Sequence, residues 1–205
     1  MEVAFVSLAF AMLAGLSPVS QASLIAIDPV SDGSLYTCEG CTVVSDGDYV
    51  VTAGYIQGAI KFPSAPIAAA VLQAVLTINP YGLPLFGPYV DVYGYGTFLG
   101  QLDASDANAG TVLGTLALPE NLDYGQDAFF DVTAFVSSTA APFLAFNLRS
   151  TGSNVFSSLE YNYGHASQLL VVTAAPEPGS MALVLVGFAA AMGTACRRRR
   201  SGRSR

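Results

Sequence analysis

Tyr89-Val90-Asp91-Val92-Tyr93-Gly94-Tyr95 is the stretch that decides the fold. Tyr89, Asp91, Tyr93 and Tyr95 occupy alternate positions, with Val90 and Val92 between them. An extended chain sends successive side chains to opposite faces, so this stretch has an aliphatic face and a tyrosine-rich face. β-branched and aromatic side chains also suit a pleated, half-buried surface. One strand cannot bury its valines alone, so the flanking sequence must supply partners.

It supplies them in both directions. Residues 49–52 and 55–62 read as strands around Ala53-Gly54, and residues 71–78 alternate again through Leu72, Ala74, Leu76 and Ile78. Pro80-Tyr81-Gly82-Leu83-Pro84 turns the chain toward Tyr89. Further strands are expected over residues 111–118, 128–132, 143–148, 155–158 and 169–173, making about nine by the period-two pattern. A helical turn is expected over residues 133–138, capped by Asp131 or Thr133. Short strands at this spacing leave no room for crossover helices. The expected fold is all-β: an antiparallel, jelly-roll-like β-sandwich over residues 23–173.

The termini have a different composition. Residues 3–16 are apolar and lead into Ser17-Pro18-Val19-Ser20-Gln21-Ala22, which reads as a secretory h-region followed by a small-residue cleavage site. A signal peptide over residues 1–22 is expected, although Glu2 is the only charge ahead of the apolar run. At the other end, residues 174–180 form a linker containing Pro176-Glu177-Pro178. Residues 181–196 are apolar and read as a transmembrane helix, and residues 197–205 are a basic tail beginning Arg197-Arg198-Arg199-Arg200. The 18 residues from 179 to 196 would span about 27 Å as a helix, close to the ~30 Å of a bilayer's hydrocarbon core. Clustered arginines stay cytoplasmic, which puts the preceding chain outside.

This order of motif, apolar span and arginine cluster resembles the PEP-CTERM sorting tail of Gram-negative bacteria. The resemblance implies recognition at Pro176, Glu177 and Pro178 by an exosortase-type membrane transpeptidase, after passage through a secretion translocase. Cleavage near the motif would then deliver the protein to the cell surface or extracellular matrix. The rival reading is a plain single-pass anchor, with the prolines forming an extended stalk.

Charge narrows the function. The chain has a formal net charge of −7, but six of its eight cations lie in the tail. Between residues 23 and 175 only Lys61 and Arg149 face 13 acids. A domain so acidic repels phosphate backbones, which excludes nucleic acid as a partner. Cys38-Glu39-Gly40-Cys41 reads as a local disulfide, since an exported chain meets an oxidising compartment. A redox pair would want a strand-then-helix context, and zinc would want two further ligands.

The middle of the chain carries a second resemblance. Ala59-Ile60-Lys61-Phe62, Ala74-Val75-Leu76-Thr77-Ile78 and Tyr89-Val90-Asp91-Val92-Tyr93 are similar in order to the opening strands of DNRLRE-type and related carbohydrate-binding jelly rolls. Phe130-Asp131-Val132, Leu144-Ala145-Phe146-Asn147-Leu148, Ser158-Leu159-Glu160 and Leu169-Leu170-Val171-Val172-Thr173 continue that order. The Asn-Arg-Leu-Arg-Glu signature itself is missing, so the resemblance implies a surface-attached jelly roll and transfers no binding residue.

Candidate chemistry is sparse. His165 is the sole histidine, and no Gly-x-Ser-x-Gly elbow accompanies it. Asp91, Asp131 and Glu160 are the acids within strand-like segments, hence the candidates for a glycosidase pair if any two share a cleft. Asp103, Asp106 and Asn108 crowd one loop, and Asp28, Asp32, Asp46 and Asp48 another. Their spacing is not the EF-hand pattern, so solvated Asx-rich turns are preferred over calcium. Tyr89, Tyr93 and Tyr95 on one strand, with Tyr161 and Tyr163 further on, are the ligand-facing candidates for polysaccharide, against cross-strand packing as the plainer role. The expectation is a non-enzymatic structural or adhesive domain without cofactor or metal. A carbohydrate-binding module and a small glycan-active enzyme are the alternatives.

Overall fold

The alternating segments become twelve strands in a computed structural model that describes residues 22–47, 49–81, 88–118, 126–160 and 166–174, with Tyr49 described by its backbone alone. In chain order they are β1 (Ser23–Ile27), β2 (Ser31–Cys38), β3 (Cys41–Ser45), β4 (Tyr49–Thr52), β5 (Ile56–Pro63) and β6 (Val71–Ile78). They continue as β7 (Tyr89–Thr97), β8 (Thr111–Ala117), β9 (Ala128–Asp131), β10 (Phe143–Arg149), β11 (Asn154–Ser157) and β12 (Gln168–Thr173). A 3₁₀ turn at Ala104–Asp106 and a helix α1 at Thr133–Ser138 are the helical pieces among the described residues. None of the described helices is long and apolar enough to cross a membrane. The expected signal peptide and the expected span at residues 181–196 lie outside the described residues.

All strand pairings are antiparallel. One sheet has the order β3-β2-β5-β10-β7-β8, a second β1-β12-β6-β9, and β11 pairs with β4 in a third. Inner faces of the two larger sheets contribute to a single core. Ile60, Phe62, Val90, Val92, Leu144, Phe146 and Leu148 come from the six-stranded sheet, and Ala74, Leu76, Ile78, Leu169 and Val171 from the four-stranded one. Phe146 meets Phe62 and Phe135 edge to face, with centroids 5.9 and 5.4 Å apart. The all-β, sandwich-like expectation holds at this level. Three strands were not anticipated: β1 and β3, which are short, and β2, which opens with Ser31-Asp32-Gly33-Ser34.

The helical turn falls where expected, and its cap differs from expectation. Val132 is the N-cap and has no side-chain acceptor to offer. Asp131, one residue earlier, accepts the Thr133 N–H at 2.8 Å instead, and the Thr133 hydroxyl, then this N–H, hold its carboxyl below the ordinary range. The helix is fixed to the sheet by the Ala74 N–H, which donates to Thr133 Oγ1 at 2.9 Å.

β5 and β10 are buried on both faces, unlike strands of an open sandwich. Their inner residues fill the core. Their outer residues Gln57, Ala59, Lys61, Ala145 and Asn147 are also buried, so something must cover the outside. The cover is the β7–β8 connection, residues 98–110.

Candidate functional site

The cover is held by charge. Lys61 projects from the outer face of β5 with no exposed surface, and its ammonium lies 2.8 Å from Asp106 Oδ2. It also donates to the backbone carbonyls of Gln101 (2.7 Å) and Leu99 (3.3 Å). A buried ammonium is tolerable only when its donors are matched, and here three oxygens match them. Asp106 is equally well employed. Its Oδ2 accepts the Asp103 N–H at 2.7 Å, closing a reciprocal capping box, and its Oδ1 accepts the Tyr95 hydroxyl at 2.9 Å. Burial, then the adjacent Asp106 carboxylate, pushes the Tyr95 phenol far above its ordinary range.

Bonds from four further side chains complete the seal. Asn147 Nδ2 donates to the Asp106 carbonyl at 2.9 Å, and Gln57 exchanges two bonds with Asn108. Arg149 donates to the Ala109 carbonyl at 2.8 Å, and its guanidinium lies 3.7 Å over the Tyr93 ring. Gly110 ends the cover at φ +93°, where a Cβ would also stand 2.9 Å from the Gly94 carbonyl oxygen. Only glycine fits that crossing.

The candidate tyrosines are thereby separated. Tyr93 lies under Arg149 and Tyr95 is bonded to Asp106, both half-buried within the cover, whereas Tyr89 is 63% exposed at the start of β7. Tyr161 and Tyr163 lie outside the described residues, as do Asp48, His165, Pro176, Glu177, Pro178, Arg197, Arg198, Arg199 and Arg200.

The three candidate acids occupy different places. Asp91 accepts from the Thr115 hydroxyl at 2.6 Å on the outer face of the six-stranded sheet. Asp131 accepts the Thr133 N–H of α1 at the end of β9 on the other sheet, while Glu160 lines a cavity beyond β11. Cys38 and Cys41 face each other as the last pair of the β2–β3 hairpin and are joined by a disulfide. The setting is a hairpin end.

The second polar feature is that cavity, about 360 Å³, where β2 begins and β3 and β11 end. Asp32, Asp46 and Glu160 line it, together with Ser31 and Gln101. Asp32 is 1% exposed. Its Oδ2 accepts the Leu159 N–H at 3.0 Å, and its buried Oδ1 has no hydrogen-bond partner. Burial, then the charges of Glu160 and Asp46, pushes its carboxyl up to about 7. Among the described residues, no three His, Cys, Asp or Glu side chains are already grouped as a metal-ligand set.

Sequence reasoning placed Asp106 and Asp32 in solvated acidic loops and missed both the Lys61–Asp106 pair and the burial of Asp32. A lone Lys in an acidic β domain was the one available signal for the pair. The partner, 45 positions away, had none. No protein-family model matches the chain, and no curated protein matches it.

Proposed function

We propose that this is an exported, non-catalytic β domain, sorted by an exosortase-type transpeptidase to the surface or extracellular matrix of a Gram-negative cell, where its role is structural or adhesive. The observation that carries the reading is the ordered C-terminal triplet: Pro176-Glu177-Pro178, the apolar residues 181–195, then Arg197 to Arg200. The β domain suits this destination. It is acidic, has a disulfide-closed hairpin, and locks its long connection with a fully employed buried ion pair. In this reading the antiparallel sandwich is a jelly roll, and its approach to extracellular polysaccharide would run through exposed aromatics such as Tyr89.

Intact-mass measurement on the exported protein tests the proposal. The mature form is expected to start near Ser23 and to end near residues 176–180, without the arginine cluster. It should accumulate as uncleaved precursor when the exosortase-type enzyme is deleted. A surface protein that keeps its mass through Arg205 would establish the plain anchor instead. Affinity electrophoresis against a polysaccharide panel separates a binding module from a purely structural one, with Tyr89→Ala expected to abolish any retardation.

A further inference from the structure

We propose that the acidic cavity at the start of β2 is a calcium site, with Asp32 as its fixed ligand and Asp46 and Glu160 closing on the ion. The cavity wall presents three carboxylates and no counter-charge. Lys61 and Arg149 are the cations among the described residues, and both are engaged elsewhere, with Asp106 and with Ala109 and Tyr93. Lys61 is the nearer in register, opposite Ser31, but its ammonium is bound to Asp106 and to the Leu99 and Gln101 carbonyls. An unpaired carboxylate buried this deeply is costly unless a proton or a cation neutralises it.

Asp32 Oδ1 is the pointer to a ligand. It is buried, it lacks any donor, and it belongs to a side chain lining the cavity. A proton on Asp32 would cancel the charge, yet the resulting hydroxyl would still need an acceptor. A metal ion satisfies the oxygen directly and draws in the two acids opposite. Asp46 and Glu160 are exposed, so their side chains are free to rotate toward an ion that Asp32 holds from beneath. The polar residues of the wall, three acids with Ser31 and Gln101, offer oxygen ligands and neither thiol nor imidazole. That set selects a hard cation over zinc or copper. Loosely placed, mixed oxygen ligands also favour calcium's variable coordination over magnesium's strict octahedron.

The test uses the full chain in neutral detergent, stripped with a chelator and titrated calorimetrically with CaCl₂ and MgCl₂. One Ca²⁺ per chain is expected, with a Kd in the roughly 10⁻⁴–10⁻³ M range of extracellular modules. Binding should raise the melting temperature. Asp32→Asn and Glu160→Gln should each weaken binding by on the order of tenfold or more, since charge count sets affinity at such sites. No heat and no melting shift at about 10 mM Ca²⁺, a concentration tenfold or more above that Kd range, overturns the proposal. Unchanged binding in Asp32→Asn does so too, and magnesium binding as tight as calcium overturns the choice of ion. Should Asp32→Asn fail to fold, Glu160→Gln decides alone, because its side chain is exposed and undiminished binding there removes the site.

Discussion

Lys61 and Asp106 are each nearly inaccessible to water, so removing either strands a charge where nothing can solvate it. Asp106→Ala is expected to destabilise the protein by about 3–5 kcal/mol, measured by urea unfolding. The double variant Lys61→Met/Asp106→Asn should lose less than Asp106→Ala, because it removes both charges, keeps the volume and leaves an acceptor for Tyr95 or Asp103. Asp32 behaves oppositely to a salt-bridged carboxylate. Its folded-state pKa is raised to about 7 from 3.8, so between these values the folded protein keeps a proton that the unfolded chain has released. Its contribution to stability is therefore fully present below pH 3.8 and is lost as pH rises through about 7. In chelator-containing buffer, the difference in urea midpoint between wild type and Asp32→Asn should change along that window and level off above it. None of this was legible in the sequence. Asp32 sits in an acidic stretch that looks solvated, and only the fold reveals that its carboxyl is enclosed.

At the scale of elements, the strands most readable in the sequence were those with strict alternation. β6 and β7 were placed within a residue or two because Leu76, Ile78, Val90 and Val92 mark the core face without interruption. β2 was missed because Ser31-Asp32-Gly33-Ser34 looks like a turn. It is held as a strand by its neighbours β3 and β5, a tertiary effect that no local propensity encodes. The β7–β8 connection looked like an exposed oxygen-rich loop for the same reason. Its partners Gln57, Lys61 and Asn147 come from strands distant in sequence. The hairpin between β2 and β3 closes a four-residue disulfide loop, which by chain entropy limits its stabilisation to about 2 kcal/mol. Cys38→Ser/Cys41→Ser is therefore expected to lower the melting temperature only modestly and to leave far-UV circular dichroism unchanged.

For the whole molecule, the proposed destination rests on sequence pattern alone: an acidic middle flanked by two apolar segments, the second followed by arginines, which names no ligand. The structure adds an all-β body in which the acids proposed for glycoside chemistry stand apart: Asp91 on one sheet, Asp131 on the other, Glu160 beyond β11. Their separation could not be read from spacing, because in an antiparallel fold neighbours in space come from pairing order and not from sequence distance.

The pairing of first and last strands has its own outcome. Ser23 stands opposite Thr173, β12 is flanked by β1 and β6 on its two sides, and the Ala174 N–H still donates to the Ala70 carbonyl. The pairings of β12 with β1 and β6 are thus complete within residues 23–174. A cut beyond Ala174 breaks none of them, so the proposed cleavage would leave both edges of the last strand zipped.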